Sequence, residues 1–447
     1  MRRLTAMFLA AAGAAVIAAS CGPPEPEPSP APRPQPPAPE PPEAVLPPID
    51  TLRAAAPALP PDTVVSSRDV TVGLAVAAAE IQLGGADALV ISDPAGGRLL
   101  DVAEGTAWRL VRGGAGVTLE GPGGVSAGSH DAIVVTSARP GRYVRVNGRD
   151  YRGEVTVLRG TTGLTVVNRI GIESYLAGVV SAEMGRREDF ETQALNAQAV
   201  VSRTYAVRNQ GKRRLLGFDF YATVSDQVYG GLASETPMAW DAVRATRGVI
   251  LTWNGAPADA FFYSTCGGRT ERGIDVFAMA DRPYLRSFHD VDANGLAYCR
   301  LSPRFRWREE KNGADLEVLL RRTLPEVVRI DPAVVDRVVD VRVTRRTASG
   351  RASEVLVRLG RRDVIITGQQ IRSVFRLASG EFLRSTAFEM TAQSDAGRVS
   401  LLAIEGSGAG HGVGFCQWGA VGRAREGQGY EQILAAYYPS TSLHRLD

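Results

Sequence analysis

Residues 172–211, IESYLAGVVSAEMGRREDFETQALNAQAVVSRTYAVRNQG, constrain the fold more than any other stretch of the chain. They predict two helices in succession. In the first, Tyr175, Leu176, Val179 and Val180 fall at helical spacing. That helix runs out near Glu183, Met184 and Gly185. A charged turn follows, in which Glu188 or Asp189 is placed to cap the second helix. The second helix carries Ala194, Ala197, Ala199 and Ala206, small enough for another element to approach its backbone closely. Glu183 therefore stands where one helix stops after an apolar run. A poorly solvated carboxyl keeps its proton at neutral pH, so Glu183 is a candidate general acid.

The rest of the chain predicts an α+β protein built around this pair. From about residue 67 to 169 the pattern is one of short β runs. Residues 70–76, 143–146 and 155–158 alternate, and glycine pairs at 96–97, 113–114 and 123–124 mark turns. Residues 164–169 read as the strand that feeds the first helix. More sheet follows at 249–253 and 260–263, around the turn signal Asn254-Gly255. Residues 301–390 read as an α+β insertion, with a helix over 314–324, β runs at 340–345 and 354–359, and a turn at Ser349-Gly350. Tyr430, Ile433, Leu434, Tyr437 and Tyr438 predict a last helix that ends at Pro439.

The N-terminus reads as targeting rather than fold. Arg2 and Arg3 precede an apolar run from Leu4 to Ala19, which is too short for a membrane span. The run ends Ala18-Ala19-Ser20-Cys21, the pattern of a bacterial lipoprotein cleavage site with Cys21 as the acylated residue. An ordinary signal peptide is the alternative. Residues 22–64 begin with a Pro-rich stretch to residue 48 that cannot bury a core and predicts an extended tether. The expectation is an exported protein, lipid-anchored to a bacterial membrane, with its folded part in residues 65–447. A net charge of +3 is too small to argue for nucleic acid.

Four motifs in order carry a family resemblance. They are YLAGVVSAEMG with FETQALNAQAVVSRTYAV, Asp226-Gln227-Val228-Tyr229-Gly230-Gly231, Ser264-Thr265-Cys266-Gly267-Gly268-Arg269-Thr270, and residues 410–420, GHGVGFCQWGA. Together they resemble the SpoIID/LytB family of bacterial cell-wall proteins, from about residue 65 to the end. The resemblance implies peptidoglycan glycan strands as the partner. It also implies lytic transglycosylase activity with Glu183, in the Ala-Glu-Met triplet, as the catalytic acid. One carboxyl suffices when the sugar's own C6 hydroxyl is the attacking group, whereas ordinary glycosidases need two. The family's other branch, described as an amidase enhancer, implies a non-catalytic alternative in which the protein binds glycan and stimulates a separate cell-wall amidase.

Around Glu183, the expected glycan contacts are Gln198, Arg203, Tyr205, Ser264, Thr265, Gly267, Gly268, His411 and Gln417. Arg203 has a fork suited to a sugar carboxylate, and Tyr205 can stack on a sugar or sit half in the core. Glycines let a ligand near the backbone, and those flanking His411 suggest an exposed ring that holds substrate or tunes the acid. Their spacing is not that of a P-loop. Glu173, Glu188 and Glu191 are read as solvated. Cys21 is consumed by lipidation, leaving Cys266, Cys299 and Cys416. Cys266 and Cys299 flank one family loop and are the expected disulfide partners, with free thiols as the alternative. Family members that hold a structural zinc near this loop suggest a third option, Cys266, Cys299 and His289. Tyr263 replaces the family's usual His before Ser264, and no fourth ligand is evident, so no cofactor is expected. Cys416 reads as a small buried thiol. With His411 five residues away it has no third partner for a cysteine nucleophile.

Overall fold

The computed structural model describes residues 69–84 and 87–446. The expected leader, the lipidation site Cys21 and the Pro-rich tether lie outside the described residues. The fold is α+β, with two β-rich parts and seven α-helices among the described residues.

The N-terminal part holds a seven-stranded sheet and a six-stranded sheet. Alternating residues from both, including Val70, Val72, Ile81, Leu83, Leu110, Val135 and Val157, share one buried core. In the larger sheet the strand Leu164–Gly171 lies between Asp69–Ala78 and Glu154–Arg159, antiparallel to both. Its last residue, Gly171, is the N-cap of the helix Ile172–Met184, so this strand delivers the first central helix directly from the sheet.

The second central helix, Thr192–Asn209, is the hub. Packed on it are the helices Ile172–Met184, Pro237–Ala245, Gln417–Arg425 and Tyr430–Tyr437 and the strand Val249–Trp253. Residues Ala194–Ala206 are buried without a break, and small side chains are what allow so many neighbours. Buried all round, the helix has no polar face for an amphipathic pattern to report. The turn before it is a capping box between Glu188 and Glu191.

A second core, from Leu316 to Ile404, belongs to the insertion. The helix Gly313–Val327 packs on the hairpin strands Phe388–Asp395 and Arg398–Ser407 and on the three-stranded sheet Val338–Arg346, Ala352–Leu359 and Asp363–Thr367. The strand Arg306–Asn312 pairs with Arg398–Ser407, so this unit runs through Ser407.

The Asn254-Gly255 turn forms as expected from sequence, with both residues at positive φ, 51° and 78°. Its return strand, however, is only Ala256–Pro257. Phe262–Tyr263 leaves that hairpin and pairs in parallel with Phe415–Cys416. This long-range pairing sets the 264–268 loop beside Gln417.

Arg203 is fully buried, and its fork is already occupied. Its Nε and Nη2 donate to both Glu173 oxygens, at 2.9 and 2.6 Å, and Nη1 donates to the Val249 carbonyl at 3.1 Å. This corrects two expectations. Arg203 has no free donors to offer a sugar acid, and Glu173 is an ion-pair partner rather than a solvated charge. Glu191 is likewise buried and receives Arg425 at 2.6 Å. Arg203→Met leaves Glu173 without its cation and should cost about 3 kcal/mol of unfolding free energy in denaturant titrations. Arg203→Met with Glu173→Met should recover most of it. A loss in the single variant no larger than for a surface substitution would contradict this reading.

Candidate functional site

Glu183 lies in the last turn of the helix Ile172–Met184, which Gly185 ends at φ 66°. The side chain is half-buried. Oε1 accepts the Val228 amide at 2.8 Å, and Oε2 accepts Gln417 Nε2 at 3.3 Å. Among the described residues no cation lies within ion-pair distance of Glu183. Burial raises its pKa above the ordinary carboxylate value, while the Val228 amide and Gln417 pull the other way. Its place at a helix C-terminus, the negative end of the dipole, also disfavours the charged form.

Two packing choices bring the donors there. Gly178 has no side chain, and a Cβ at that position would stand 2.8 Å from the Tyr229 ring. Tyr229 therefore seats directly on the first helix, and its hydroxyl donates to Asn168 Oδ1 at 3.0 Å. That contact fixes residue 228 beside Glu183. On the other side, Gln417 begins the helix Gln417–Arg425, and Cys416 caps it by accepting the Gly419 amide at 3.2 Å. Gln417 also donates to Gln198 Oε1 at 3.4 Å, and Gln198 donates to Ser202 Oγ at 2.9 Å. Gln198 is thus brought to the acid, but fully buried behind Gln417 as its support.

The other expected contacts separate. Tyr205 is buried and donates to Asp226 Oδ1 at 2.9 Å, so it belongs to the core, not to a sugar platform. Burial and the Asp226 carboxylate push its hydroxyl well above the usual range. Thr265 is fully buried, with its hydroxyl 2.7 Å from Ser302 Oγ. Ser264 is half-buried, and its carbonyl accepts the Trp418 amide at 3.0 Å, so it does border the Gln417 side of the site. Gly267 and Gly268, at φ 76° and 105°, form a turn that folds around Cys266. A Cβ on Gly267 would meet Ser407 Oγ at 2.6 Å.

His411 is the largest correction. Its Nε2 donates to the Phe262 carbonyl at 2.8 Å, and its Nδ1 accepts the Val413 amide at 3.1 Å. Its ring packs against Phe261, Tyr263 and Phe277. Both nitrogens are engaged inside the loop, and it makes no hydrogen bond to Glu183. Burial pushes its pKa down to about 3, with Arg372 and Arg351 adding to the effect and the Phe262 carbonyl opposing it. The ring stays neutral and holds the loop in shape.

Two neighbours of the acid were not singled out from sequence. The Val228 amide is a backbone group, which sequence reading does not rank. Trp418 is half-buried next to Gln417, and the Arg187 guanidinium lies 4.5 Å over its ring. Its position inside the GHGVGFCQWGA motif was the available signal.

The cysteines are free thiols: Cys266 Sγ and Cys299 Sγ are 3.3 Å apart, not disulfide-bonded as expected. Cys416 joins them, and all three sulfurs lie within 4.8 Å of one another. His289, the expected third ligand, is exposed and not in the group. A three-thiol set of this kind can hold a soft divalent ion.

Two titrations follow. Below the unfolded carboxyl value of about 4.3 the stabilisation from the raised Glu183 pKa is complete, and it is lost as pH rises through the folded value. Relative to wild type, Glu183→Gln should therefore gain melting temperature as pH is raised from about 4 to about 8; a pH-independent difference would contradict the buried carboxyl. His411 acts in the opposite sense. Its neutral form stabilises the fold above about 6.5, and that contribution falls away as pH drops towards about 3. Its ring resonances should stay unchanged between about pH 5 and 8, and a midpoint in that window would show an accessible imidazole.

Comparison with known proteins agrees with these motifs. The family described as Stage II sporulation protein, SpoIID, matches residues 160–253, which span both central helices. A domain of unknown function, DUF8618, matches residues 297–414. An uncharacterized protein of Brachyspira hyodysenteriae is 30% identical over 297 residues, covering 66% of this chain and 72% of its own. Stage II sporulation protein D of Bacillus subtilis is 28% identical, over 63% of this chain and 76% of its own. The amidase enhancer of the same organism is 28% identical, over 60% of this chain and 40% of its own. With its acid-bearing helix pair inside the matched segment and its relatives aligned over most of the folded chain, the protein belongs to the SpoIID/LytB family.

Proposed function

We propose that the protein acts on the bacterial cell wall as a peptidoglycan lytic transglycosylase, with Glu183 as its acid and base. The observation that carries this reading is the setting of Glu183: a half-buried carboxyl with raised pKa, two neutral donors and no paired cation. Such a group is protonated often enough near neutral pH to donate, yet its conjugate base is held by two hydrogen bonds. In the reaction, Glu183 gives its proton to the glycosidic oxygen as the bond to the muramyl C1 breaks. The muramyl C6 hydroxyl then bonds to C1, and its proton passes to the Glu183 carboxylate. The products are a free sugar hydroxyl on one fragment and a 1,6-anhydro ring on the other, and the acid is restored without water. Trp418, half-buried beside Gln417, is suited to stack on a sugar face.

A second reading is a glycan-binding enhancer of a cell-wall amidase, favoured by the similarity to a protein named amidase enhancer. Digestion of purified glycan strands, with and without stem peptides, separates the two. Wild type should leave 1,6-anhydro ends by mass, and Glu183→Gln should lower the rate by about a hundred- to ten-thousand-fold. Reducing ends would mean that water is activated by a second carboxylate. Intact strands that remain bound would favour the enhancer.

A further inference from the structure

The three buried thiols come from well-separated parts of the chain. Cys266 lies in the loop after Phe262–Tyr263, Cys299 in the 3-10 turn Tyr298–Leu301, and Cys416 at the cap of Gln417–Arg425. Their sulfurs all fall within 4.8 Å of one another, and the measured pair is 3.3 Å apart. Around a zinc ion with Zn–S bonds of about 2.3 Å, sulfurs stand roughly 3.8 Å apart. The spacing is therefore close to what one ion requires. Three thiols can make only one disulfide, which leaves the third without a covalent reason to be there.

The backbone around the sulfurs supplies a second, independent observation. The Gly268 amide points at Cys266 Sγ at 3.3 Å, and the Cys266 and Gly419 amides point at Cys416 Sγ at 3.1 and 3.2 Å. Amides that converge on sulfur stabilise thiolates, which are the metal-binding form, and fix the direction of their lone pairs. The positive-φ pair Gly267 and Gly268 exists to turn these amides inward. The carboxylate of Asp290 adjoins the group, with Oδ2 at 3.4 Å from Cys266 Sγ. Asp290 is held by Tyr437 at 2.7 Å and by Arg423 at 2.8 Å. A buried arginine at this point offsets the negative charge that thiolates and a carboxylate leave around a divalent ion.

We propose that Cys266, Cys299 and Cys416 bind one structural zinc ion, with Asp290 as the oxygen ligand that completes the tetrahedron. The ion ties the 264–268 loop, the 298–301 turn and the start of the Gln417 helix to one point. Its role is to fix Cys416 and hence the adjacent Gln417. The proposal does not depend on the reaction assigned to Glu183.

The test uses the full chain carrying Cys21→Ser, so that of its four cysteines only these three remain. Elemental analysis should find about one zinc per chain. After zinc is exchanged for cobalt, the wild-type trio should give sulfur-to-cobalt charge-transfer bands and the intense visible bands of a tetrahedral site. Cys299→Ser and Cys416→Ser should each weaken zinc binding by more than about 100-fold, and Asp290→Asn by less. Should the serine variants fail to fold, the cobalt spectrum of the intact trio still decides. Absence of zinc together with no cobalt uptake would overturn the proposal. So would cobalt bound without thiolate bands, or a protein mass lower by two hydrogens with a Cys266–Cys299 disulfide.

Discussion

Two residue pairs, Phe262 with Phe415 and Tyr263 with Cys416, hold the site together. They form a parallel bridge between segments separated by the whole insertion. A bridge so short contributes little by its own hydrogen bonds. Its consequence is positional. Ser264 and Gln417 follow directly on the two strands and end up side by side, with the Trp418 amide on the Ser264 carbonyl. His411 is anchored to the same strand through the Phe262 carbonyl. Loosening the bridge would release Gln417 from Glu183 without disturbing the helix that carries the acid.

The acid is assembled from three directions. The N-terminal sheet delivers its helix, Tyr229 packed on Gly178 delivers the Val228 amide, and the Cys416 cap delivers Gln417. Each contributor is held by groups that never touch Glu183. Buried ion pairs lock the frame: Arg203 with Glu173, Arg425 with Glu191, and Arg423 with Asp290. Charge is thus spent on the scaffold, while the carboxyl itself is left with neutral partners. A cation beside Glu183 would hold it ionised and remove its ability to give a proton.

Much of the arrangement was legible in the residues. Helical spacing in 172–184, the Ala-rich second helix and the Asn254-Gly255 turn all act locally, and each formed where its pattern placed it. Glu183 was legible because an apolar run ending in a lone acid needs no knowledge of partners. Arg203, Tyr205, Thr265 and His411 were misplaced for a shared reason. A polar side chain in a motif reads the same whether it faces a ligand or closes a buried network, and only the location of Glu173, Asp226, Ser302 and the Phe262 carbonyl distinguishes the two.

By itself the sequence determined the α+β class, the helix pair, the position of the acid and the family motifs, because these rest on local periodicity and local composition. The tertiary structure alone decided which amide and which glutamine meet the carboxyl, that His411 is neutral and structural, and that Cys416 joins Cys266 and Cys299. Those contacts join residues tens to hundreds of positions apart. Such contacts follow from packing across the whole core, and no local pattern encodes them.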